Sequence, residues 1–263
     1  MTLEQPRTAF AHALEVLVKG GRMMKLKSIS IAALSVVLLG GPAFAFDHAA
    51  FDALLRTHVR DGRVDYAGIK ARAAKPLDAY LSAISRADLR GLSREAQLAF
   101  YLNAYNALVI GEVVRRWPGI RSVKSVDGFF DRQRHTVAGA SATLNDLENK
   151  IIRARFNDPR IHFALVCAAR SCPPLTSSAF EPKTLGRTLD GLARAFIRSP
   201  SGVQVVGGEV RASRIFDWYA VDFQKSAGSV LAFLARYHPL GKQLADGKHR
   251  LSFLDYDWAL NGR

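Results

Sequence analysis

The sequence has few cysteines, and their pattern disfavours a metal site. Cys167 and Cys172 are its two cysteines, without a C-x-x-C pair and without a second histidine close to His162. Structural zinc sites usually take four closely spaced Cys or His ligands, so a metal site is disfavoured. Ser171 also lacks a G-x-S-x-G context, which disfavours a serine hydrolase. No motif predicts a cofactor.

No apolar run is long enough to predict a transmembrane helix. The uncharged core Ile29–Leu39 is eleven residues long, whereas a span needs about 20 apolar residues. This core follows the basic stretch Met24-Lys25-Leu26-Lys27 and precedes Ala43-Phe44-Ala45. A basic segment, a short apolar segment and an A-x-A site are typical of a cleaved secretory signal.

The signal predicts a periplasmic or secreted protein that begins at Phe46. Residues 1–45 are then the signal segment, and 46–263 a single domain without a transmembrane span. The absence of a cysteine near the cleavage site disfavours a lipid anchor. Residues 1–22 are unusual ahead of a signal, so we expect translation to start at Met23 or Met24.

Clustered positive charge is absent, although the formal net charge is +14. A strong positive charge favours acidic partners, and an anionic ligand of the cell envelope is one candidate. Lys and Arg are scattered, however, without a run of five and without interleaved aromatic residues. A solvated basic surface is the simpler interpretation, and nucleic acid is disfavoured as a partner.

Periodicity and turn signals predict an α+β fold, a single compact domain with several helices packed around a small sheet. Gly207-Gly208 separates two short β-prone runs, which is a strong hairpin signal. Ile161–Cys167 is apolar on both faces and predicts a buried strand. The apolar closing stretch Leu251–Trp258 predicts a segment packed onto the domain. Helices are predicted over 48–60, 75–86, 93–116, 146–155, 184–198 and 226–237, with Thr143 or Asn145 as the N-cap of the fourth.

Two asparagines interrupt an otherwise apolar helical stretch, AFYLNAYNALVI at residues 99–110. Asn103 and Asn106 lie on the same helical face. Buried polar groups are nearly always hydrogen-bonded, and most side-chain hydrogen bonds go to backbone. The pair is therefore expected to hold the backbone of a neighbouring loop, and orienting a catalytic group is the alternative.

A candidate nucleophile lies in RIHFALVCAARSCPPL, residues 160–175. Cys172 precedes Pro173, which could open a helix whose N-terminus would favour a thiolate. His162 could accept the proton, and Asn103, Asn106 or Glu148 could orient the imidazole. On this hypothesis Cys172 is the reactive thiol.

The two cysteines have a simpler interpretation. Cys167, on the apolar face of the predicted strand, would be inert core. In an oxidising compartment Cys167 and Cys172 could instead form a disulfide, which would leave Cys172 without a nucleophilic thiol.

Five blocks of the sequence together resemble a known family, domain of unknown function 547. They read AFYLNAYNALVI, TLNDLENKII, DPRIHFALVCAARSCPPL, SRIFDWYAVDF and LDYDWALN, and the resemblance covers essentially residues 62–262. The resemblance implies a single compact domain, found in secreted bacterial proteins and in plant proteins, without an established activity. Its pattern of an Asn pair, a His and a Cys-Pro matches Asn103, Asn106, His162 and Cys172-Pro173. Many relatives have histidine where this chain has Asn149.

The layout is similar, by analogy, to papain-like and transglutaminase-like thiol enzymes. The preferred hypothesis is a thiol-dependent hydrolase or acyl-transfer enzyme acting on an amide, thioester or peptide-like substrate. The alternative is a non-catalytic envelope module that binds an anionic ligand or partner, with a Cys167–Cys172 disulfide.

Overall fold

The computed structural model describes residues 45–246 and 248–263. The predicted signal core and residues 43 and 44 of its A-x-A site lie outside the described residues, so cleavage before Phe46 stays a prediction. The α-helices are α1 (Ala49–His58), α2 (Tyr66–Gly68), α3 (Ala74–Ser85), α4 (Arg94–Arg116), α5 (Leu144–Asp146), α6 (Ala154–Phe156), α7 (Leu185–Ile197), α8 (Ile215–Trp218), α9 (Ala220–Ala227), α10 (Val230–Ala235) and α11 (Gly241–Ala245). The strands are β1 (Val59–Arg60), β2 (Arg63–Val64), β3 (Arg134–Val137), β4 (Ala140–Thr143), β5 (Val203–Val206), β6 (Glu209–Ala212) and β7 (Arg250–Phe253).

Helix α4 is the centre of the larger hydrophobic core. The Ser93 side chain caps it by accepting a hydrogen bond from the Ala96 N–H, and the helix ends just before Trp117-Pro118. Every residue from Leu98 to Val114 is buried. A helix that is buried on all sides needs partners for its polar side chains, and Asn103 and Asn106 are among them.

The strands form three small sheets within the described residues. Strands β1 and β2 pair antiparallel, as do β3 and β4, while β6 pairs antiparallel with β5 and parallel with β7. The hairpin predicted at Gly207-Gly208 is confirmed. Both glycines have positive φ, +55° and +80°, which a tight two-residue turn of this kind requires and which costs other residues free energy.

The strand predicted over Ile161–Cys167 is wrong. Residues Pro159–Phe163 form a 3₁₀ helix, capped by the Asp158 side chain with proline in its first turn, and residues 164–167 are irregular. All six residues from Ile161 to Val166 are buried. An apolar run that is buried on every side has no period that separates a strand from other conformations.

Other boundaries differ locally from the sequence prediction. Thr143, and not Asn145, caps the predicted helix at 146–155, in a capping box with Asp146. Most of that helix, Leu147–Arg153, is π-helical, a rare form that is frequent at functional sites. The helix that Pro173 was expected to open is not formed, because residues 173–176 are irregular.

The closing segment packs onto the domain as predicted. Strand β7 lies beside β6, and the chain then runs along the loop that contains the cysteines. The Arg170 N–H donates to the Ala259 carbonyl at 2.8 Å, and the Asn261 N–H donates to the Ala168 carbonyl at 3.0 Å. These bonds satisfy backbone groups of a loop that has no sheet of its own.

The architecture is α+β. A second hydrophobic core contains Phe163, Phe196, Phe216, Phe223 and Phe233, between α7–α10 and the β5–β6–β7 sheet. Within the part of the chain that the structure describes, no helix has the length and apolarity needed to cross a membrane. The papain-like analogy stays a prediction.

Candidate functional site

A cavity of about 240 Å³ lies where helix α4, the loop that contains Cys167 and Cys172, helix α8 and the closing segment meet. Six of its fourteen lining residues are Phe, Tyr or Trp, and a few polar residues and both cysteines also line it. The lining residues are Tyr105, Phe130, Asn145, Glu148, His162, Leu165, Cys167, Cys172, Pro173, Ile215, Trp218, Tyr219, Tyr256 and Trp258. A mostly apolar cavity with a few convergent polar groups is the usual form of a small-molecule site.

The imidazole of His162 is fixed on one side by a carboxylate. Its Nε2 lies 2.8 Å from Oδ2 of Asp222, and the Tyr219 ring stacks on it at 3.8 Å. Arg153 donates to both oxygens of Asp222, at 2.7 and 3.0 Å. Burial would raise the pKa of Asp222, but the hydrogen bonds from His162 and Arg153 outweigh it and hold that pKa well below its ordinary value.

The other imidazole nitrogen of this cavity-lining residue has no hydrogen-bond partner among the described residues. Nδ1 of His162 is buried and unpaired among the described residues, and Oε1 of Glu148 lies 4.0 Å from it. In a neutral ring, donation from Nε2–H to Asp222 leaves Nδ1 as a bare acceptor. Two acceptors therefore face each other across a gap that a hydrogen-bond donor could bridge.

The Glu148 carboxylate influences three phenol groups of the cavity wall. The Tyr105 hydroxyl donates to its Oε2 at 3.4 Å. Burial, and then the negative charge of Glu148, raise the pKa values of Tyr105, Tyr219 and Tyr256 well above the ordinary tyrosine value. These phenols therefore stay neutral at physiological pH.

Cys167 and Cys172 are joined by a disulfide that forms part of the cavity wall. Cys172 is buried and Cys167 is partly exposed, the reverse of the burial expected from the sequence. The Tyr256 hydroxyl lies 3.3 Å from Sγ of Cys172 and 3.4 Å from Sγ of Cys167. Of the two interpretations of the cysteines, the structure therefore shows the disulfide. Cys172 carries no thiol in this form, and its catalytic role stays a prediction.

The two asparagines hold backbone and do not line the cavity. Asn106 donates to the Ala164 carbonyl at 2.8 Å and accepts from the Val166 N–H at 2.9 Å. Asn103 makes the same pair of bonds to the carbonyl and N–H of Phe180, at 3.0 and 2.9 Å. Each carboxamide thus makes the two backbone hydrogen bonds that a neighbouring strand would otherwise make to an irregular buried segment. The expected structural role is confirmed, and neither side chain orients His162.

Asn149 supports the site through its hydrogen bonds to two neighbouring side chains. Its side chain donates to Asn145 at 2.7 Å and accepts from Arg153. Arg153 in turn holds Asp222, so Asn149 acts on His162 through two other side chains. Among the described residues, no group of three or more His, Cys, Asp or Glu side chains is arranged to hold a metal ion.

The structure brings together His162, Glu148 and Cys172 from the predicted site and adds groups that the sequence analysis missed. Asp222 is the partner of His162, and Trp218, Tyr219, Tyr256 and Trp258 are wall residues. All five lie in the blocks SRIFDWYAVDF and LDYDWALN, which were singled out for their resemblance to the family. The alternation of Asp with Tyr and Trp in those blocks was the available signal.

Part of this site lies in a segment that matches a known protein family. Residues 89–197 match the family described as "Protein of unknown function, DUF547". The matched segment contains α4, Glu148, His162 and both cysteines, whereas Asp222 and the closing segment lie beyond it. No curated protein and no solved structure matches the chain significantly. The chain carries a DUF547 domain.

Proposed function

We propose that this chain is an exported binding module that holds a small ligand in the aromatic cavity, with the Cys167–Cys172 disulfide as a structural part of the wall. The observation that carries the proposal is the convergence of Glu148 and the unpaired Nδ1 of His162 on one cavity with aromatic walls. Buried polar groups without partners cost free energy, and a ligand that supplies the partner recovers it.

Export is part of the proposal. The basic stretch, apolar core and A-x-A site support a secretory signal. A disulfide persists in oxidising compartments and is rare in the cytosol, so the Cys167–Cys172 pair supports the same location.

Thiol-dependent hydrolysis or acyl transfer on an amide, thioester or peptide-like substrate is the second candidate. It is favoured by one observation: Cys172 lines the same cavity as His162, whose Nε2 is paired with Asp222. Reduction by a dithiol would free the Cys172 sulfur, and the Tyr256 hydroxyl and the Cys167 N–H, 3.3 and 3.1 Å away, could then stabilise a thiolate. His162 would serve as the base.

A cavity-blocking variant tests the binding proposal. Asn145 is exposed at the cavity rim, so Asn145→Trp should narrow the entrance without disturbing the core. We expect oxidised wild-type protein to bind members of a small-fragment library, measured by saturation-transfer NMR. Binding should be at least about tenfold weaker in Asn145→Trp, since blocking removes most contacts of a small ligand. Gln243→Trp, an exposed position on α11, is the control and should bind as wild type.

Fragment binding and a turnover measurement together distinguish the binding module from the thiol enzyme. In the binding module, the double variant Cys167→Ser/Cys172→Ser should keep its fragment affinities within about threefold, because the sulfurs only line the wall. Turnover of a thioester or activated amide after reduction with dithiothreitol, abolished by Cys172→Ser, would replace the binding module with the thiol enzyme. Equal fragment binding by wild type and Asn145→Trp would refute a site in this cavity.

A further inference from the structure

We infer that the cavity selects the protonated primary amine of a small organic ligand. The inference rests on the proposed function, because it names the chemical class of ligand for the same cavity. Among the residues that line it, Glu148 is the one that carries a formal charge when His162 is neutral. The nearby Asp222 is compensated by Arg153.

Aromatic rings line the same cavity as this negative charge. Trp218, Tyr256 and Trp258 pack against one another with centroid separations of 4.7 to 5.7 Å. Ring faces attract cations within about 6 Å, and tryptophan does so best. A carboxylate inside an aromatic wall favours an organic cation over an anion or a neutral molecule.

Two basic side chains of the protein already make cation–π contacts with rings of this wall. Nζ of Lys124 lies 4.8 Å from the centroid of Trp258, and Cζ of Arg153 lies 5.0 Å from that of Tyr219. Neither basic side chain lines the cavity. These contacts place cations over two rings of the wall, as the attraction between ring faces and cations favours.

The two acceptors, of which Nδ1 of His162 has no partner among the described residues, specify an amine that still has N–H groups. Nδ1 of His162 and Oε1 of Glu148 are 4.0 Å apart, so one nitrogen about 2.9 Å from both could donate a hydrogen bond to each. A quaternary ammonium has no hydrogen to donate there. A primary ammonium supplies the charge for the rings and the two donors for the acceptors.

Four probes of similar size test the inference: n-butylammonium, n-butanol, butyrate and tetramethylammonium, each titrated into the oxidised full-length mature protein at pH 7. The readout is the dissociation constant from tryptophan fluorescence and ligand-observed NMR. We expect n-butylammonium to bind at least about tenfold more tightly than the other three. Glu148→Gln should weaken its binding about tenfold, and Glu181→Gln, at an exposed glutamate, should leave it unchanged.

Trp218→Leu provides a second variant if Glu148→Gln does not fold. The indole is 46% exposed, so its removal spares the core, and n-butylammonium should bind several-fold more weakly. Preference for butyrate or butanol, or equal affinity for tetramethylammonium, would overturn the inference while leaving a ligand site in the cavity. If n-butylammonium does not bind, the inference also fails. The fragment library and Asn145→Trp then decide separately whether the cavity binds anything.

Discussion

Asn106→Ala is expected to lower the free energy of unfolding by about 2–6 kcal/mol. The substitution removes two hydrogen bonds and leaves the Ala164 carbonyl and the Val166 N–H buried without partners. Each unsatisfied buried group costs about 1–3 kcal/mol. Asn103→Ala should have a similar effect through the two backbone groups of Phe180. Equilibrium denaturation in urea measures both variants.

An exposed carboxamide provides the matched control for these variants. Gln224→Ala, on the solvent side of α9, should change the free energy of unfolding by less than about 0.5 kcal/mol. A wild-type midpoint in both Asn103→Ala and Asn106→Ala would contradict the structural role assigned to the pair. Because Ala164–Val166 directly precede Cys167, the Asn106 variant should also weaken ligand binding.

A chain truncated after residue 247 should lose its cooperative fold. The missing segment supplies β7, which pairs with β6, and the backbone partners of Arg170 and Ala168 in the cysteine loop. It also supplies Tyr256 and Trp258 of the cavity wall. Apolar surface exposed by the truncation costs about 25 cal/mol per Å². The unsatisfied backbone groups destabilise the truncated chain further. We expect insolubility, or a non-cooperative thermal transition in circular dichroism.

Removal of Arg263 alone is the control for this truncation. Its side chain is exposed, and its backbone makes one hydrogen bond, from its N–H to the Val64 carbonyl, so the fold should survive. A soluble chain that ends at residue 247 and unfolds cooperatively near the wild-type temperature would show that the closing segment is dispensable.

Local signals in the sequence predicted much of the fold. Ser93 and the Trp117-Pro118 stop bound the central helix, which was predicted over 93–116 and runs over Arg94–Arg116. The Gly207-Gly208 hairpin follows from backbone freedom at two residues. Such features depend on neighbours in sequence, so one chain is enough to predict them.

The errors come from features that depend on distant partners. The segment Ile161–Val166 has the composition of a buried strand, but Asn106, about 60 residues away in sequence, supplies the hydrogen bonds that a sheet would supply. Asp222 is 60 residues from His162, and no spacing rule links them. The burial of the two cysteines was reversed because it depends on where the closing segment packs.

The net charge of the chain and the charge next to the cavity lead to different expectations. The formal net charge of +14 predicts acidic partners for the surface, which stays a prediction. The proposed cation site depends instead on the Glu148 carboxylate and the aromatic residues that line the cavity, since Coulomb energy falls with distance and surface charges are screened by salt. A basic protein can therefore carry a site for a cation.

The most direct test of the account is a peptide map of the protein purified without reductant and treated with iodoacetamide in its native state. Arg170 lies between the two cysteines, so trypsin separates them into two peptides that only a disulfide can hold together. The account predicts the linked pair and no alkylation at either cysteine, as expected for a disulfide in the cavity wall. Quantitative alkylation of Cys172 would contradict it and restore the thiol-enzyme hypothesis.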